Sequence, residues 1–179
     1  MSIDAPSAAP QSAPAHRAPV ARRPHAALRS TLILVGAVAA AMTFAVVGAI
    51  VVAFAREPWF DNLKQPSWAP EAWMYVAGSL VVHLLTGLAG WRIGLRAPGS
   101  PLVTLWVVLL GLGLGWTVLF FGLWVPRWAM LEACVLAIVA IASVAATWPA
   151  SRAASALLLP YVAWAALVMT LNAAILGLN

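Results

Sequence analysis

The sequence predicts an all-α protein, an integral membrane bundle of five transmembrane helices. Three observations predict it. Of 179 residues 64% are hydrophobic and 8% charged, and ten basic plus five acidic side chains cannot cover the surface of a soluble domain. Five stretches reach the roughly 20 apolar residues that a helix needs to cross a bilayer. Prolines cluster at the ends of these stretches, where helices start or stop.

Residues 1–30 are rich in Ala, Pro, Ser and Arg and show no periodicity, which reads as a disordered tail unable to bury enough apolar surface to offset its ordering entropy. Arg22-Arg23 ahead of an apolar run, with Ala53-Phe54-Ala55 after it, has the outline of a signal peptide. The uncharged run Thr31–Phe54 is far longer than an h-region of roughly 7–15 residues, so a retained helix is the better reading. The other spans are read as 72–91, 101–125, 128–148 and 152–178, with a Trp-rich loop at 55–71 and Pro160 inside the fifth span. Very short connections make spans three to five antiparallel neighbours. Arg17, Arg22, Arg23, Arg29, Arg92, Arg96 and Arg152 then share one face, against Arg56, Lys64 and Arg127 on the other. The positive-inside rule expects a cytoplasmic amino terminus in a bacterial cell membrane, with the Trp-rich loop outside. Although the net charge is +5, the arginines form no basic face interleaved with aromatics, which argues against a nucleic-acid partner. Cys134, the one cysteine, sits in an apolar run and reads as a buried bystander.

The first loop carries the most specific pattern. Trp59, Phe60, Leu63, Pro66, Trp68, Pro70 and Trp73 fall at the spacing W-Y/F-x-x-L-x-K-P-x-W-x-P-P-x-W, with Gln65 in place of Lys and Glu71 in place of the second Pro. Trp116 with Phe120-Phe121-Gly122 follows N-x-x-W-x-P-x-F-F-G, and Pro160-Tyr161-Val162-Ala163-Trp164 with Leu171-Asn172 follows P-Y-x-x-W and L-N. In these motifs the chain resembles the tryptophan-rich sensory protein family, also called the translocator protein or peripheral benzodiazepine receptor family, over about residues 31–179. The departures are Gly113 for the family's Asn, Val118 for its Pro, and Tyr75, Val76, Ser79 and His83 for its F-P-x-x-W-x-x-L-Y pattern. All lie where the family's ligand cavity is lined.

Polar groups within a membrane are costly, so each invites a partner or a purpose. Tyr75, Ser79 and His83 are spaced i, i+4, i+8 and stack along one face of the second helix. They read either as a cavity wall that hydrogen-bonds a ligand or as a structural stripe. Tyr161, Trp164 and Asn172 share a face of the fifth helix, and the resemblance turns that face toward the cavity. Trp116 and Phe120 form a further aromatic wall, or core packing. Glu132 reads as an acid complementing its helix start, with a proton or ligand site as the alternative. Gly111 and Gly115 form a G-x-x-x-G pair that lets helices approach closely, and the resemblance implies a homodimer contact there. Gly113 is expected to enlarge the cavity by removing a side chain. Neither tyrosine is followed closely by a basic residue, so the proposed cholesterol motif is unsupported.

The resemblance thus implies a membrane protein that binds a planar hydrophobic molecule, porphyrin or haem, acting as transporter or sensor, with Trp59, Trp68 and Trp73 roofing the pocket. No cofactor is required by that reading, and no metal site is expected. A light- or oxygen-dependent porphyrin-degrading enzyme is disfavoured, because Ser79 stands where such members carry one of two cavity tryptophans. A partner-stabilising subunit without a small ligand is the third reading.

Overall fold

The computed structural model describes residues 24–55 and 57–179. Five helices span Pro24–Ala55 (α1), Ala72–Arg96 (α2), Pro101–Thr117 (α3), Pro126–Thr147 (α4) and Arg152–Leu178 (α5), with no strand among the described residues. All five are long and apolar enough to cross a membrane, α3 when its π-helical extension to Gly122 is included. The protein is an integral, multi-pass membrane protein.

Most of the tail lies outside the described residues, but 24–30, read as part of it, are helical. The sequence Pro-His-Ala-Ala-Leu-Arg-Ser begins with a proline suited to a first turn and continues with good helix formers. Once the span behind it is helical, each added residue avoids the cost of nucleation. Similarly, α2 runs past Trp91 to Arg96, where Gly99 at φ 68° makes the turn and Pro101 opens α3. Ser151 caps α5, its Oγ accepting from the Ala154 N–H at 3.2 Å. The Ser155 hydroxyl donates to the Val144 carbonyl at 2.6 Å, pinning α5 to α4. The fifth helix continues through Pro160 to Leu178 as one element.

Principal contacts run α1 to α2, α2 to α5, α5 to α4, α4 to α3 and α3 back to α1, so the helices form a closed ring in that order. Small residues set the closest approaches. A Cβ on Gly87 would lie 2.9 Å from the Val38 Cα, so α1 and α2 meet almost backbone to backbone there. The Trp106 ring lies against Gly90, and its indole N–H donates to the Thr86 carbonyl at 2.8 Å. Outward faces carry exposed Val46, Ile50, Val107, Leu131, Ile138 and Leu159, the surface expected of a bundle solvated by lipid.

Beyond Thr117 the third helix widens into a π-helical turn, Val118–Gly122, closed by the Leu123 N–H on the Val118 carbonyl at 2.8 Å. This turn lets consecutive Phe120 and Phe121 both point inward, 0% and 2% exposed. Trp124 follows at φ 58°, a left-handed conformation costly for a bulky residue. Its indole N–H donates to the Ala55 carbonyl at 3.0 Å and its ring stacks on Trp59, so the strained residue ties the end of α1 to the loop.

Candidate functional site

Inside the ring, at the end nearest the Trp-rich loop, lies a cavity with a volume of about 40 Å³. Tyr75, Ser79 and His83 of α2, Trp116 of α3, and Tyr161 and Trp164 of α5 all line it. The i, i+4, i+8 stripe thus does face inward. The His83 Nδ1 lies 2.8 Å from the Ser79 carbonyl oxygen, which can only accept. In the neutral ring Nδ1 therefore carries the proton and Nε2 keeps its lone pair. Among the described residues no three His, Cys, Asp or Glu side chains converge on a point.

Two cavity-lining donors, the Tyr75 hydroxyl and the Trp116 indole N–H, are buried with no hydrogen-bond partner. Leaving such a group unsatisfied costs about 1–3 kcal/mol. The Tyr161 hydroxyl, by contrast, donates to the Leu109 carbonyl across the bundle at 3.1 Å. That bond exists because residue 113 is glycine: a Cβ there would run into the Tyr161 oxygen. The expected enlargement at Gly113 is not found, since the tyrosine fills the space a side chain would occupy. Trp164 is seated in the same way on Gly78, whose Cβ would lie 2.6 Å from the indole.

Other predicted residues stand around the cavity rather than on it. Phe120 stacks on Trp116 with centroids 5.2 Å apart, and Trp59 meets Phe120 edge-on at 5.5 Å. Trp59 therefore connects with the cavity through two aromatic rings. Trp68 and Trp73 are exposed at 51% and 63%, and the Trp73 N–H donates to Glu71 at 2.8 Å. Neither lines the cavity, and exposed tryptophans beside a span suit the membrane interface. Asn172 is completely buried one turn beyond Val168, with neither amide atom hydrogen-bonded. Gly111 has no atom within 4 Å of an added Cβ and lies open on the outer face of α3, whereas Gly115 faces Glu132 at 3.6 Å. Both Glu132 carboxylate oxygens are buried without a partner, so the acid does not reach the interface as its helix-start reading expects.

The sequence reading missed the contribution of α1, whose Phe44, Gly48, Ala49 and Val52 close one wall, and of Phe121, Thr117 and Leu136. Gly48 is the signal that was available: a glycine in an apolar span points to a packed face, and a Cβ added there would meet Thr117 at 3.8 Å, an ordinary contact. The loop is clasped to α5 by two hydrogen bonds, the Lys64 N–H to the Asn179 Oδ1 and the Asn179 amide to the Lys64 carbonyl, both 3.0 Å.

The ring of five helices, the π-helical turn and the clasped aromatic loop coincide with a match of residues 35–178 to the family model described as TspO/MBR family. The chain belongs to the TspO/MBR family. Relatives that share its sequence include protein CrtK of Rhodobacter capsulatus, 29% identical over 136 residues that cover 74% of this chain and 85% of that protein. The tryptophan-rich protein TspO of Chlorobaculum tepidum is 30% identical over 128 residues, 68% and 79% of the two chains. The translocator protein of Sus scrofa is 30% identical over 119 residues, 64% and 70%. Against this TspO/MBR background, Ser79, His83 and Gly113 remain departures in the cavity wall.

Proposed function

We propose that the cavity binds a planar hydrophobic ligand bearing hydrogen-bond acceptors, of the tetrapyrrole class, and that the protein acts as its transporter or sensor. The observation that carries this reading is the pair of unpartnered donors, the Tyr75 hydroxyl and the Trp116 N–H, on walls that also present Trp164 and Tyr161. Flat aromatic walls offer apolar area, and the orphaned donors offer orientation. About 40 Å³ accommodates a few water molecules, against the roughly 300 Å³ or more of a typical ligand pocket. On this reading, a tetrapyrrole-sized ligand needs the cavity walls to part before it can enter. Positive-inside bias sets the Arg92, Arg96 and Arg152 end in the cytoplasm. The open Gly111 face of α3 suits close approach of a second copy.

A titration of the purified protein with protoporphyrin IX, followed by tryptophan quenching, tests the reading. Saturable binding is expected, weakened about tenfold or more in Trp164→Phe or His83→Ala, the cost of one lost buried contact of about 1.4 kcal/mol. Unchanged affinity in both variants would refute the cavity assignment.

A further inference from the structure

The two ends of the bundle are electrostatically unlike. The described acids are Glu57, Asp61 and Glu71 at the loop end and Glu132 in the part of α4 near it. The opposite end, formed by the start of α1, the α2–α3 turn and the α4–α5 turn, carries Arg29, Arg92, Arg96 and Arg152 with no described carboxylate. Topology alone asks only for cations somewhere on that end. Here two of them, Arg96 from the last turn of α2 and Arg152 from the first turn of α5, line a single open pocket of about 460 Å³. Trp148, 52% exposed, and Ser151 complete its rim, and the Arg152 guanidinium sits 5.7 Å over the Trp148 ring. Two guanidinium groups brought to one pocket repel each other, and that cost is offset when an anion stands between them. The pocket opens where the apolar spans end, at headgroup depth, and a half-exposed tryptophan suits that depth.

We infer that this pocket is a binding site for the phosphate headgroup of an anionic phospholipid in the leaflet facing the arginine-rich end. Arg96 and Arg152 supply planar donors matched to phosphate oxygens, and the acyl chains run down the exposed apolar faces of the helices. Arg92 lies on the same end outside the pocket, its guanidinium 4.7 Å over Trp91. It reports the surface charge without the site.

The test uses the full chain in detergent micelles, with phosphatidylglycerol and phosphatidylcholine adducts counted by native mass spectrometry at equal lipid concentration. Phosphatidylglycerol is expected to be retained preferentially. Arg96→Gln and Arg152→Gln should each lower its occupancy about tenfold, the effect of losing one charge-assisted hydrogen bond to the phosphate inside the pocket. Arg96→Lys, keeping the charge, should recover most of the retention, which separates lost binding from lost folding. Arg92→Gln removes the same charge from the same end without touching the pocket, where salt screens its attraction, and should leave the occupancy within about twofold. Equal retention of the two lipids, or a loss in Arg92→Gln as large as in Arg96→Gln, would overturn the site.

Discussion

Glycines decide where the aromatic side chains of this protein go. Gly78 receives Trp164, Gly90 receives Trp106, and Gly113 receives the Tyr161 hydroxyl. Each pairing removes a Cβ from one helix so that a ring from another can lie against its backbone. Gly113 has the clearest consequence, since the bond from Tyr161 to the Leu109 carbonyl spans the bundle only through that gap. Gly113→Ala should force the ring aside and break this buried bond. The expected loss of unfolding free energy is about 1–3 kcal/mol, measured by denaturation in mixed micelles. A variant as stable as the parent would mean that Tyr161 has a second, equally good seat. From the chain alone Gly113 read as added cavity space. Periodicity locates a missing side chain but not the neighbour that moves into its place.

The long apolar elements were legible as elements, because span length and proline position are one-dimensional signals, and α5 lies at 152–178 as read, whereas α1 starts at Pro24 rather than at 31 and α2 ends at Arg96 rather than at 91. The irregular pieces were not legible. The π-helical turn at Val118–Gly122 forms with no proline inside it and brings Phe120 and Phe121 together, ring centroids 4.9 Å apart. Positive φ at Trp124 and the clasp between Lys64 and Asn179, 115 residues apart, depend on tertiary contacts. That clasp resembles a short piece of β ladder made by one side chain. Asn179→Ala removes both bonds, and the Lys64 amide should then exchange with deuterium about fivefold to tenfold faster, as expected for one net hydrogen bond. Unchanged protection of Lys64 would show that aromatic packing of Trp59 and Phe60 alone holds the loop.

At the scale of the whole molecule, the helices close a ring around a cavity that is small, aromatic and partly unsatisfied. The inward face of α2 was readable from the i, i+4, i+8 spacing of Tyr75, Ser79 and His83. The wall from α1 was not, since that helix is apolar all round and its inner face cannot be told from its lipid face by composition. Trp68 and Trp73 show the same ambiguity from the other side: the loop motif groups them with Trp59, yet only Trp59 joins the rings that lead to the cavity. On the proposed function, a planar ligand enters this ring of helices. Photoaffinity labelling with a diazirine-bearing protoporphyrin, followed by peptide mass spectrometry, tests it most directly. Labels are expected on the α2 segment 75–83, the α3 segment 113–117 and the α5 segment 161–168, and should be competed by unmodified protoporphyrin IX. Labels confined to the lipid-facing residues Val107, Leu131 and Ile138, with none on those three segments, would contradict it.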